Sequence, residues 1–182
     1  MSVPFANTKR IVGIFHVLFA MLSHLLRVCK MRIALYQPDI PQNTGTILRM
    51  SVCFGLPVDI IEPCGFVFND KQLKRAGMDY LEKADYTRYM AWEDFIEKRP
   101  KGRLVLLTTK ASVPYTSFQF RPDDILLFGR ESAGVPDEVH NFVDARIRIP
   151  MMPQERSLNL ALSCAIATSE AMRQTKMFES LT

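Results

Sequence analysis

The sequence predicts an α/β domain over residues 31–182, a mainly parallel sheet flanked by helices. Three observations lead there. Five short apolar runs recur through this region, and a proline, a glycine or a polar turn follows most of them. Between them lie segments whose apolar residues repeat at helical spacing. The whole chain is 182 residues, 48% hydrophobic and 23% charged, which suits one domain with a full core and no disulfide or metal staples. Strands and helices alternating along one chain build a parallel sheet.

Each element has its own signal. Arg32–Tyr36 is an apolar run closed by Gln37-Pro38, hence a buried strand. Pro38–Gly45 is rich in turn residues and reads as a polar loop. Ile47, Leu48, Ser51 and Val52 recur at helical spacing, and Gly55 closes that helix. Val58–Ile61 is a second strand, stopped by Pro63. Asp70–Arg75 reads as a short helix capped by Asp70. Trp92–Lys98 reads as another, with Trp92, Phe95 and Ile96 as its apolar stripe. Arg103–Leu107 and Asp124–Phe128 are the third and fourth strands. Pro136–Phe142 is helical, and Arg146–Ile149 is a short fifth strand. Leu158–Arg173 is the longest helix, with Ser157 at its cap position.

Charge excludes a broadly basic body. Lys and Arg number 23 against 19 Asp and Glu. Lys9, Arg10, Arg27 and Lys30 supply the whole excess, so residues 31–182 carry 19 of each sign. Any basic patch is therefore local. Cys29, Cys53, Cys64 and Cys164 form no C-x-x-C pair, and no His stands at ligand spacing. We expect no metal site and free thiols in a reducing cytoplasm.

Residues 11–28 are strongly apolar, and Lys9 and Arg10 precede them. The length is about one membrane span of roughly 20 residues. His16, Ser23, His24 and Arg27 interrupt it, and no clear cleavage site follows. Met31 then opens directly into the first strand. The preferred reading takes residues 1–30 as an apolar basic extension with a mis-assigned start, and the domain as 31–182. An amphipathic extension packed on the domain and a membrane anchor are the alternatives. No membrane partner is expected.

Ligands of open α/β sheets sit outside the carboxyl ends of the strands. Four polar loops lie there: Pro38–Gly45, Thr108–Ala111, Gly129–Pro136 and Pro150–Ser157. The glycines at 129 and 134 would let a ligand approach the backbone. Their spacing is not that of a dinucleotide loop, and no Walker lysine follows. The helix start near Ser157 and Asn159 offers unpaired N–H groups. His140, the one histidine of the body, is expected at the surface. No Ser-His-Asp, Cys-His or paired-carboxylate arrangement is readable.

Taken together and in order, PDIPQNTGTILRMSVCFG, IIEPCGFVFNDKQLKRAGMDY, LTTKA, ILLFGRESAGVP and IRIPMMPQERSLNLALSCAIA resemble the SPOUT RNA methyltransferases. Within them the likeness is to the small bacterial enzymes that methylate the ribose of the tRNA wobble nucleotide, cytidine or modified uridine 34. It covers essentially all of residues 31–182. The resemblance implies an α/β fold with a C-terminal trefoil knot, S-adenosyl-L-methionine as methyl donor, and a homodimer joined through the C-terminal helix. It implies cofactor contacts at Leu107, Gly129, Ile149 and Ser157, with Thr108, Glu131, Met151 and Leu158 in the same pocket. It implies catalytic roles for Arg49, Asn43, Ser157 and Asn159. Arg49 would assist removal of the hydroxyl proton or grip the adjacent phosphate. Lys71, Lys74, Arg75, Arg148 and Arg156 are candidate phosphate contacts to the anticodon loop. Methylation of another tRNA or rRNA nucleotide, and a non-catalytic RNA-binding protein of the same fold, are the alternatives.

Overall fold

The computed structural model describes residues 31–67 and 80–181. Residues 1–30 and the predicted helix at Asp70–Arg75 lie outside them, and so do Lys71, Lys74 and Arg75.

Seven strands form one sheet in which every pairing is parallel. They are β1 (Arg32–Tyr36), β2 (Val58–Ile61), β3 (Tyr86–Tyr89), β4 (Leu104–Leu107), β5 (Val113–Pro114), β6 (Ile125–Phe128) and β7 (Ala145–Arg148). Their order across the sheet is β3-β2-β1-β6-β4-β7-β5. The helices are α1 (Pro41–Phe54), α2 (Trp92–Lys98), α3 (Asp137–Phe142) and α4 (Leu160–Gln174). Short 3-10 turns at Tyr115–Ser117 and Met177–Ser180 are the other helical elements among the described residues.

The central strands are apolar on both faces, as a parallel sheet covered on both sides requires. Ile33 and Leu35 of β1 join one core with Ile47 and Leu48 of α1 and Cys164, Ala167 and Met172 of α4. Ala34 and Tyr36 join the other with Trp92 and Phe95 of α2 and Val139 of α3. At the amino edge of the sheet two fully buried carboxylates are held by arginine forks. Arg32 grips Asp59 at 2.8 and 2.6 Å, and Arg103 grips Asp124 at 2.9 and 2.8 Å. Bidentate geometry of this kind compensates the cost of burying charge.

Three expectations shift. α1 begins at Pro41, so Asn43, Thr44 and Gly45 are helical and buried instead of lying in a loop. Pro41 suits the first helical turn, where a missing N–H costs nothing. Gly55 does close this helix, in the left-handed region at φ 61°. The edge strands β3 and β5 carry no apolar run, and their sequences gave no strand signal. Pro114 sits in β5, at the sheet edge where a proline is tolerated. Finally, α4 begins at Leu160 and its cap is Asn159, not Ser157. The Asn159 side chain accepts from Ala161 N at 2.8 Å and Leu162 N at 3.2 Å.

Candidate functional site

β1 leads through α1 to β2 on one side, whereas β6, β4 and β7 lie on the other. The strand order therefore reverses between β1 and β6, and a crevice opens at such a point. A cavity of about 500 Å³ lies there. Its walls come from the segments that follow four adjacent strands, β1, β6, β4 and β7, and from the start of α4.

All eight residues expected to meet the cofactor line this one cavity: Leu107, Thr108, Gly129, Glu131, Ile149, Met151, Ser157 and Leu158. Asn43 and Asn159 line it too, as does Arg156. Arg49 does not. It is exposed on α1, with its guanidinium 5.0 Å from the ring centre of Tyr80. Asn43 and Arg49 are six residues apart on one helix, which turns them about 120° away from each other. Arg148 is exposed at the end of β7.

The floor is a tight turn. Arg130 and Gly134 pair through two N–H···O bonds of 2.9 Å each, and Gly134 adopts φ 68°. Gly129 lies against Gly134 so closely that a Cβ would come within 2.5 Å of the Gly134 carbonyl carbon. Only glycine fits there.

Hydrogen bonds then fix three side chains in turn. The Asn159 Oδ1 is committed to the first N–H groups of α4. Its Nδ2 must therefore donate, and it does so to Asn43 Oδ1 at 2.9 Å. That leaves Asn43 Nδ2 as a donor, and it meets Glu131 Oε1 at 3.0 Å. Glu131 Oε2 accepts from the backbone N–H of Asp39 at 2.8 Å. The orientation of each amide thus follows from its neighbour's, and the relay leads from the end of α4 to the glycine turn. Asn43 is buried, so an unpaired amide there would be costly.

Some participants gave no sequence signal. Asp39 accepts from Ser132 N at 3.0 Å, Ser132 Oγ at 2.5 Å and Arg130 Nη2 at 3.2 Å. The hydroxyl and N–H of Ser132, with the Arg130 guanidinium, hold the Asp39 carboxyl below its ordinary range. His140, expected at the surface, is half-buried and lines the cavity. Its Nε2 is buried with no hydrogen-bond partner. The neighbouring Val139 packs into the core, and this draws the two-turn helix α3 against the sheet.

Among the described residues no group of three or more His, Cys, Asp or Glu could hold a metal ion. Among the same residues no helix is long and apolar enough to cross a membrane.

The family model described as the SpoU rRNA methylase family matches residues 30–169. A curated relative from Beijerinckia indica subsp. indica, named tRNA (cytidine(34)-2′-O)-methyltransferase, is 55% identical over 144 residues, 78% of this chain and 90% of its own length. A solved structure described as giving insight into 2-OH methylation of C/U34 on tRNA superposes with a TM-score of 0.75 at 38% identity, covering 80% of this chain and 95% of that one. An AdoMet-bound rRNA methyltransferase from Sinorhizobium meliloti superposes with a TM-score of 0.70 at 29% identity, covering 79% of this chain and 56% of that one.

Proposed function

The chain belongs to the SpoU rRNA methylase family, and from that premise we propose that it is a tRNA 2′-O-methyltransferase acting on the wobble nucleotide, position 34. One observation carries the reading. The eight residues implied as cofactor contacts come from separate loops, yet they line a single cavity at the switch point of the sheet.

The cavity fits S-adenosylmethionine. Leu107, Ile149 and Leu158 offer apolar surface for an adenine, and backbone groups of the turns can read its edge. A Cβ on Gly134 would meet nothing within 4 Å, so the turn is open there to a ligand's approach. No Walker lysine follows the glycines at 129 and 134, so this turn is not built as a phosphate-binding loop. When bound, the cofactor supplies a methyl group already activated on a sulfonium.

The protein's task is alignment. The transfer would pass the methyl group from the sulfonium to the ribose 2′-oxygen, with the neutral thioether as leaving group and the hydroxyl proton passing to water. Asn43 and Asn159 are held rigidly, so the wall they form presents a fixed shape to cofactor and ribose. In our reading the Arg49 fork grips the phosphate next to the ribose, and its charge favours loss of the proton. Arg156 at the cavity and Arg148 beside it supply further phosphate contacts. Lys71, Lys74 and Arg75 belong to the same proposal. In a body with balanced charge such contacts make RNA binding steeply salt-dependent.

The outer side of α4 presents Leu162, Ala165 and Ile166 at helical spacing, with Leu162 58% exposed. We take this face as the contact of a homodimer. The trefoil knot, the anticodon loop as the docking site and a cytoplasmic location are part of the same reading.

The test uses labelled S-adenosylmethionine and total tRNA from a strain lacking the gene. Label on the 2′-oxygen of nucleotide 34 is the expected result. Label at another nucleotide overturns the substrate and keeps the chemistry. A folded protein that binds cofactor and labels no RNA overturns the enzymatic reading.

A further inference from the structure

We propose that Asp39 is a positioning residue for the cofactor, holding the Gly129–Gly134 turn in the shape that admits S-adenosylmethionine. This rests on the reading of the cavity given above.

The turn is closed at its ends by the Arg130–Gly134 pair, whereas Glu131, Ser132 and Ala133 form the tip and face the cavity. Asp39 reaches three consecutive residues of this turn from more than ninety positions away. Its Oδ1 takes the Arg130 guanidinium, at 3.2 Å from Nη2 and 3.4 Å from Nε. Its Oδ2 takes both the N–H and the hydroxyl of Ser132. Its backbone N–H holds Glu131 Oε2. Glu131 is in turn the acceptor at the end of the Asn159–Asn43 relay. One aspartate therefore fixes the tip backbone and also the carboxylate to which the two asparagines are referenced. The Ser132 hydroxyl bond, at 2.5 Å, has the short length of a charge-assisted hydrogen bond.

Asp39 is itself fixed from behind. Gly65 N donates to Pro38 O at 2.9 Å. A Cβ on Gly65 would lie 2.9 Å from both Cα and Oδ1 of Asp39. The loop after β2 thus backs the aspartate, which backs the turn, which floors the cavity. Preorganisation of this sort lowers the ordering cost of binding, so its loss appears in cofactor affinity.

The experiment is calorimetric titration of S-adenosylmethionine into the wild-type protein and into Asp39→Asn, Ser132→Ala and Gly65→Ala, with melting curves taken without ligand. Asp39→Asn should raise the cofactor Kd at least tenfold and leave the unliganded melting temperature within a few degrees. Gly65→Ala, which pushes Asp39 without changing its chemistry, should also weaken binding severalfold. In turnover the loss should fall on KM for the cofactor more than on kcat. Cofactor affinity within twofold of wild type in Asp39→Asn overturns the proposal, as does a fall in kcat with Kd unchanged. If Asp39→Asn fails to fold, Ser132→Ala decides. A threefold or greater loss of affinity supports the role, and unchanged affinity overturns it. Absence of cofactor binding by the wild type overturns both this inference and the reading beneath it. Tight wild-type binding with unaffected variants overturns the inference alone.

Discussion

Asn159 performs two tasks that one substitution can separate. Its Oδ1 caps α4, and its Nδ2 sets the direction of the Asn43–Glu131 relay. Asn159→Ala removes both. Loss of an N-cap costs about 1 kcal/mol. Leaving the buried Asn43 carbonyl without a donor costs roughly another 1–2 kcal/mol. A drop of about 2–3 kcal/mol corresponds to roughly 4–12 °C in Tm for a domain of this size. Asn159→Asp behaves differently. A carboxylate still accepts from Ala161 N and Leu162 N, and a negative charge is favourable at a helix N-terminus by about 0.3–1 kcal/mol. The cap is kept, so the loss of stability at pH 7 should be confined to the unpaired Asn43 carbonyl, about 1–2 kcal/mol. The carboxylate, however, faces Asn43 Oδ1, acceptor against acceptor. Asn43 can relieve that only by flipping, which turns its carbonyl toward Glu131. The relay has no satisfied arrangement left, and cofactor affinity should fall about tenfold, or ~1.4 kcal/mol. Urea unfolding and calorimetric titration of both variants measure the two effects. Wild-type cofactor affinity in Asn159→Asp refutes the relay, and wild-type stability in Asn159→Ala refutes the cap.

Other consequences are briefer. Gly129→Ala places a Cβ within 2.5 Å of the Gly134 backbone, so it should abolish cofactor binding in a protein that still shows native circular dichroism. His140→Phe removes a buried nitrogen that has no partner, at a site where such an atom costs about 1–3 kcal/mol. The variant should melt at a higher temperature than wild type, and an unchanged or lower Tm would count against the orphaned atom. Arg32→Met strands the fully buried Asp59 carboxylate and should cost about 3–5 kcal/mol in urea unfolding, with much of it recovered by adding Asp59→Leu. The Arg173 fork and the Gln174 amide hold the Glu170 carboxyl at about 2, below its ordinary 4.5. Its contribution to stability is therefore complete above pH 4.5 and lost as pH falls toward 2. Stability of Glu170→Gln should depend less on pH across that window.

Strands whose backbone sits in the middle of the sheet were legible, because burial on both faces forces a continuous apolar run. Arg32–Tyr36 and Ile125–Phe128 announce themselves in this way. Tyr86–Tyr89 does not, since an edge strand need not be apolar, and two of its four residues are exposed. The start of α1 was misplaced for the opposite reason. Asn43, Thr44 and Gly45 look like loop residues, yet they are buried because Asn43 serves the site. Ser157 and Asn159 are equally good caps by residue type, and only the folded chain distinguishes them. The loops that make the cavity were readable from their glycines and prolines. The partners of Asp39 were not, because no local pattern links position 39 to positions 130–132.

The two edges of the sheet handle charge in opposite ways, and the chemistry accounts for the difference. At the amino edge Asp59 and Asp124 are buried against arginine forks, where nothing has to react. At the carboxyl edge the carboxylates are occupied. Asp39 is matched by Arg130 and Ser132, and each oxygen of Glu131 already accepts an N–H. Methyl transfer disperses the positive charge of the sulfonium on the way to the transition state. A bare carboxylate beside it would stabilise the ground state more than the transition state and slow the step. Carboxylates tied to donors keep their power to orient while exerting a weaker field on the cavity. The asparagine relay extends that orientation with neutral groups only. The same arrangement explains why the site must be rigid: with its carboxylates already occupied by donors, alignment has to come from geometry fixed before binding. The expected signature is that substitutions along the Asp39–Glu131–Asn43–Asn159 path are strongly non-additive in cofactor affinity, because each one frees the same turn. Additive losses in the Asp39→Asn, Asn159→Asp double variant would mean that the two ends act independently and that no continuous path connects them.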